Sequence, residues 1–269
     1  MKLTVLHYIR ALSGVLYREL LRFLHQRDRF ISALVRPLMW LFIFAAGFRS
    51  TLGISIIPPY ETYILYEVYI TPGLIGMVQL FNGMQSSLSM VYDREMGSMK
   101  TLLICPLPRS FLLTAKLVAG VAISILQAYV FLAIAWLYGI EPPPMGYLAV
   151  FPALLLSGMM LGALGLFLSS FVRQLENFAG VMNFVIFPMF FLSSALYPIW
   201  RIRESNPILA DIAEYNPFTF AVETIRFALY GQFNAEAATI TLATLLVFLV
   251  AAIRGYDPAR GQMHRRGSR

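Results

Sequence analysis

The chain has 269 residues, of which 58% are hydrophobic and 13% charged, with a mean hydropathy of +0.69 and a net charge of +7. That is more apolar surface than one water-soluble core of this length buries, so the protein belongs in a membrane. A single cysteine, Cys105, excludes an intrachain disulfide, the separated His7, His25 and His264 exclude a metal cluster, and the scattered basic residues fit membrane topology better than a nucleic-acid surface.

The first thirty residues hold Lys2, Arg10, Arg18, Arg22, Arg27 and Arg29 without the short apolar run of a secretory signal. The N-terminus is therefore expected in the cytoplasm. Leu16, Leu20, Phe23 and Leu24 share one helical face while Arg18, Arg22, His25 and Arg29 share another, the pattern of a helix lying in the headgroup plane. It reads equally as an elbow bracing the first span or as a generic basic anchor.

Six segments have the roughly 20 mainly apolar residues that a spanning helix needs: Ile31–Phe48, Ile70–Val91, Phe111–Tyr138, Tyr147–Phe171, Phe178–Tyr197 and Ala237–Ile253. With the N-terminus inside, the cytoplasmic side holds 17 of the 21 basic residues and 6 of the 14 acids, a net of +11. The other side holds Arg49, Arg201, Arg203 and Arg226 against 8 acids, a net of −4. This asymmetry predicts both termini in the cytoplasm. Arg36 and Lys116 are expected near span ends, where they can snorkel, and no Asp, Glu or His is expected in mid-span.

Uncharged polar residues do enter the spans. Gln79, Asn82, Gln85, Ser86 and Ser87 lie in the second, Gln127 in the third, and Ser193 and Ser194 near the end of the fifth. Gln79, Asn82 and Gln85 serve either as interhelical hydrogen-bonding glue, the favoured reading, or as an interior pathway. Ser157, Gly158, Gly162, Ala163 and Gly165 in the fourth span allow close backbone approach. Tyr60, Tyr63, Tyr66 and Tyr69 are expected to form an interfacial belt.

Between the second and third spans runs the cytoplasmic "DREMGSMKTLLICPLPRS". Ser98 can cap a short helix whose apolar face is Met99, Leu102 and Leu103, and Pro106 ends it. Pro108, Arg109 and Ser110 then turn the chain, with Ser110 as a cap for the third span. Asp93, Arg94, Glu95 and Lys100 add charge beside that face, making a docking element for a soluble partner.

On the opposite side, "ALYPIWRIRESNPILADIAEYNPFTFAVETIRFALYG" is too long for a simple loop and too broken for a seventh span. It reads as helices dipping into or lying on the outer leaflet. In its second half Asn216 can cap, Pro217 suits the first helical position, Glu223 and Arg226 are neighbours, and Gly231 suits the stop. The tail after residue 253 is basic, with Arg254, Arg260, Arg265, Arg266 and Arg269 available to anionic lipid.

A P-loop needs Gly-Lys followed by Ser or Thr, and Lys2, Lys100 and Lys116 follow Met1, Met99 and Ala115. Nucleotide binding by that route is excluded.

The run "DREMGSMKTLLICPLPRSFLLTAKLVAG" resembles the Glu-Arg-Glu-x-Gly-Thr, Leu-Leu-x-x-Pro, Arg, Lys signature of ABC type-2 exporter permeases, and "LYPIW…NPFTFAVETIRFALYG" resembles that family's second block. Asp93, Ser98, Cys105 and Phe220 depart mildly from the usual residues. The resemblance implies an all-α polytopic domain over residues 1–269: an elbow helix in 1–30, a six-span bundle in 31–253 with a cytoplasmic coupling helix and outer re-entrant helices, and a tail from 254. It implies a half-transporter, two copies or one with a sister permease, beside two separate ATPase subunits that bind the ATP and Mg; this chain itself holds no cofactor and no metal. Coupling would rest on Asp93, Arg94, Glu95, Gly97, Ser98, Leu102, Leu103, Pro106 and Arg109. An outer gate would rest on Pro198, Asn216, Pro217, Glu223, Arg226 and Gly231. The 172–177 loop, "VRQLEN", lacks the Glu-Ala-Ala…Gly pattern of importer permeases, so export from a bacterial inner membrane is the expected direction.

The alternative from another class is a membrane-embedded enzyme acting on lipid or isoprenoid substrates. Its acids would be Glu204, Asp211, Glu214 and Glu223, which no metal-ligand spacing organises. A channel or carrier independent of ATP would want an intramembrane charge or a pore filter.

Overall fold

The computed structural model describes residues 5–25, 34–44, 47, 57–95, 107–172 and 174–255. These are helical nearly throughout: α1 (Val5–His25), α2 (Leu34–Ile43), α3 (Tyr66–Glu95), α4 (Arg109–Leu137), α5 (Gly146–Phe171), α6 (Leu175–Phe191), α7 (Ile199–Ser205), α8 (Pro207–Glu214), α9 (Pro217–Leu229) and α10 (Ala235–Gly255). A π-helical turn at Trp40–Phe44 overlaps the end of α2.

Among the described residues three helices are long and apolar enough to cross a membrane: Ser110–Leu137, Gly146–Phe171 and Ala235–Gly255. The 30 residues of α3 reach about 45 Å at 1.5 Å per residue. Its polar residues dilute its hydropathy, and it compensates by packing against α2, α4, α5, α6 and α9. α5 is the hub, touching α3, α4, α9 and α10. It is apolar all round, as a helix enclosed by protein and lipid must be. Its small residues bring α3 close: a Cβ on Gly83 of α3 would lie 2.9 Å from Gly162 Cα. The packing reading of the fourth-span glycines therefore holds.

One end of the bundle gathers the start of α3, the end of α4, the start of α5, the end of α6, and α7–α9; we call it the hairpin end. The other, the tail end, gathers α1, the end of α3, the start of α4 and the end of α10. α1 lies along α4, with Tyr8 edge-on to Phe111 at 5.0 Å.

Several boundaries differ from the sequence expectations. α3 extends the second predicted span by about a turn at each end. α6 stops at Phe191 rather than Tyr197 because its final carbonyls are taken by partners other than a continuing helix: Ser193 Oγ donates to Phe190 O at 2.6 Å, and Asn216 Nδ2 donates to Met189 O at 2.8 Å and to Leu192 O. α4 begins at Arg109 behind Pro108, so Ser110 sits inside the first turn and is not its cap. Asp93, Arg94 and Glu95 close α3, whereas Gly97, Ser98, Leu102, Leu103 and Pro106 lie outside the described residues.

Candidate functional site

At the hairpin end the first turns of α3 meet α9 across the 192–198 turn. Asn216 joins two helices at once. Its Oδ1 accepts from Phe218 N–H at 2.9 Å, capping α9, while its amide closes the end of α6. Pro217 occupies the first helical position and Gly231, at φ +72°, ends the segment, both as the sequence implies. Thr219 Oγ1 donates to Ala213 O at 2.6 Å and accepts from Ser194 N–H at 3.3 Å. Pro198 precedes α7.

Arg226 is the largest fully buried side chain described, at 2% exposure. Its guanidinium pairs with the Glu223 carboxylate, donates to Ser194 O at 2.7 Å, and lies 4.2 Å from the centroid of the Tyr69 ring. Tyr69 Oη donates to the same carbonyl at 2.9 Å, and Ser194 Oγ donates to Glu223 at 2.6 Å. Charge, hydrogen bonds and an aromatic face thus all compensate one buried cation. Gly73 makes the approach possible, since a Cβ there would fall 2.7 Å from Ala195 Cα.

The tyrosines are not an interfacial belt. Tyr63 is exposed, but Tyr60, Tyr66 and Tyr69 are buried, and Tyr60 packs edge-on to Tyr230 at 4.7 Å and beside Tyr69. The belt expectation counted aromatics near a span end. Local sequence does not show that Arg226, 157 positions beyond Tyr69, lies on that ring.

Asp211 and Glu214, named above for an enzymatic alternative, both bind Arg203, with Asp211 Oδ1 at 2.8 Å. Glu223 is committed to Arg226 and Ser194. Among the described residues no group of three or more His, Cys, Asp and Glu side chains converges on a metal position.

Deeper in the bundle, Gln79 donates to Leu154 O at 2.7 Å and accepts from Ser157 Oγ at 2.6 Å, and Asn82 donates to Gln127. These bonds join α3 to α5 and α4. Gln85 is different: it is half-buried and makes no hydrogen bond among the described residues.

Arg36 and Lys116 both lie against neighbouring helices. Lys116 is 8% exposed and lines an interior crevice with Gln79, Ser86, Ser87 and Ser124, between α3, α4 and α5. The Arg36 guanidinium rests 4.2 Å from the centroid of Phe81, midway along α3. For a spanning α3, a cation at the level of Phe81 would cost about 2.5–3.5 kcal/mol by insertion scales. Sequence reasoning missed this position because it measured Arg36 from the start of its own span; only contacts with other helices reveal its depth.

Residues 10–230 match the ABC-2 type transporter family. The chain belongs to that family. It is 26% identical over 231 residues to the "Putative transport permease ycf38" of Cyanophora paradoxa, covering 83% of this chain and 76% of that one. It is 24% identical over 225 residues to the protein of the same name from Porphyra purpurea, covering 81% and 74%. Against the "Probable multidrug ABC transporter permease YbhR" of Escherichia coli (strain K12) it is 32% identical over 163 residues, 59% of this chain and 42% of that one. This ABC-2 permease is thus a multi-pass membrane protein and a transport subunit rather than an enzyme, of a family whose permeases pair with an ABC ATPase.

Proposed function

We propose that this permease is the membrane half of an ATP-driven exporter. Six spans set the N- and C-termini in the cytoplasm of a bacterial inner membrane, with the hairpin end outward, and two permease chains, identical or sister, pair with two separate ATPase subunits. ATP and Mg are bound by those subunits, and this chain contributes no cofactor. The observation that carries the reading is the family match over residues 10–230, which takes in both the 93–110 stretch and the α7–α9 hairpin.

α3 supports a mechanical link between them. One continuous helix runs from Tyr69, bonded into the hairpin cluster, to Glu95, where the coupling stretch begins. Closure of the ATPase pair would displace the coupling stretch, and a helix packed on five neighbours transmits displacement as a body. Asp93, Arg94, Glu95, Gly97, Ser98, Leu102, Leu103, Pro106 and Arg109 would form the ATPase contact. Pro198, Asn216, Pro217, Glu223, Arg226 and Gly231 would shape the outer gate, with α1 bracing the tail end as an elbow.

The test is a mild-detergent pull-down of the tagged chain from native membranes, with vanadate-sensitive ATPase activity assayed in the eluate. The expected result is a stoichiometric P-loop partner, lost in Glu95→Ala and in Gly97→Pro while the chain stays in the membrane. A chain that purifies alone in several detergents, without ATPase activity, would remove the exporter reading.

A further inference from the structure

Arg36 is exposed on the surface of this chain, and three landmarks place it between the two ends of the bundle, inside the hydrocarbon when α2 and α3 span it as proposed above. Phe81, on which it rests, follows Tyr66 by 15 positions and precedes Glu95 by 14, about 21–23 Å from either end of α3. On α2 itself, Trp40 meets Phe190 and Phe191 at the hairpin end of α6 (centroids 5.8 and 5.7 Å). Phe42 meets Tyr138 at the hairpin end of α4, 5.0 Å away. Arg36 precedes those residues by four and six positions, so it lies about 6–9 Å deeper.

A membrane-embedded cation ordinarily faces the bundle interior or a water-filled cavity and holds a partner. Arg36 has no ion pair or hydrogen bond among the described residues. Among the described residues no helix carries a carboxylate at that depth either. Within the long helices the acids stand at the ends: Glu67 in the first turn of α3, Asp93 and Glu95 in its last, Glu176 and Glu236 in the first turns of α6 and α10. Glu223 is already paired.

The surroundings have the chemistry of a recognition strip. Gln85 stands one turn from Phe81 on the same face of α3, half-exposed and unbonded among the described residues. Met39 and Ile43 follow Arg36 along the exposed face of α2. A fixed guanidinium fork and an amide sit beside an aromatic ring and an apolar ridge, which together fit a molecule with an anionic head and a hydrocarbon tail.

We infer that Arg36, Phe81 and Gln85 form a binding site for the anionic head of an amphiphilic cargo, whose tail lies along Met39 and Ile43. The site itself rests on this chain's geometry; its role in cargo movement rests on the exporter reading above. The site compensates a cation without an ion pair or hydrogen bond among the described residues, and it selects against uncharged and cationic amphiphiles of the same size.

Trp40, one turn from Arg36, is a built-in reporter. The full chain carrying Trp136→Phe and Trp200→Phe would be placed in phosphatidylcholine nanodiscs and titrated at pH 9 with 9,10-dibromostearate or with its uncharged methyl ester, whose bromines quench a nearby indole. The expected result is half-quenching by the acid at a tenfold or more lower mole fraction than by the ester. Arg36→Gln should bring the acid to the ester's value, and Arg36→Lys should retain part of the difference. Equal quenching by acid and ester with Arg36 in place overturns the site, whatever the variants do. So does an acid preference that survives Arg36→Gln.

The last arm adds the ATPase partner and traps the complex with ATP and vanadate. Loss of the Arg36-dependent quenching supports cargo, whereas unchanged quenching identifies a static structural lipid and overturns the cargo assignment. Acid-selective, Arg36-dependent binding by a chain that recruits no ATPase supports the site and removes the exporter reading instead.

Discussion

Arg226 and Arg36 carry the same side chain into the same bundle and meet opposite fates. Arg226 is sealed at the hairpin end, with Glu223, Ser194 and Tyr69 absorbing its charge and hydrogens. Arg36 lies open at mid-depth on a phenylalanine ring. A buried charge that the fold compensates internally holds the architecture together; one left open is retained at a cost to stability. The contrast separates a structural cation from one available to a ligand.

The sharpest way to break the contrast is at the compensated charge. Arg226→Ala leaves Glu223 without its partner and should destabilise the chain by about 3–5 kcal/mol, read as a lowered midpoint of unfolding in mixed micelles. Arg226→Leu combined with Glu223→Leu should recover most of that loss, since no unpaired charge then remains. If the double variant is as unstable as the single, the pair is not what holds the hairpin.

Asn216→Ala comes next. It removes the α9 cap and the amide that closes α6, so the upper part of the usual capping range, about 1–2 kcal/mol, is expected in the same unfolding titration. Gln79→Leu tests the glue between α3 and α5, and interhelical bonds of this kind average about 0.6 and reach about 1.7 kcal/mol. Arg203→Ala should lower the midpoint less than Gln79→Leu does, because its partners Asp211 and Glu214 are solvent-exposed.

The smallest stability effect belongs to Arg36→Gln. Removing an uncovered cation should change the unfolding midpoint by no more than about 0.5 kcal/mol or raise it. A large loss would mean that Arg36 has a structural partner, and the contrast between the two arginines would disappear.

Much of the hairpin was legible in the chain because its devices are local. A cap before a proline, an i, i+3 ion pair and a stop glycine are written within a dozen residues, and Asn216, Pro217, Glu223, Arg226 and Gly231 all take those local positions. The double duty of Asn216 was not legible, since Met189 and Leu192 lie 27 and 24 positions away. The same limit explains the fifth span. Hydropathy continues through Tyr197, but the helix ends where Ser193 and Asn216 take its carbonyls.

By itself, then, the sequence determined membrane residence, the helical content, the family and the local punctuation of the α9 segment, because apolar composition and short-range hydrogen bonding depend on neighbours along the chain. The tertiary structure alone decided which polar groups are satisfied. Gln79 and Asn82 find partners on α5 and α4 while Gln85 finds none among the described residues, three tyrosines are buried, and Arg36 ends beside the middle of α3. Compensation of a buried dipole or charge depends on which helix packs against it, and packing brings together residues that no local pattern relates.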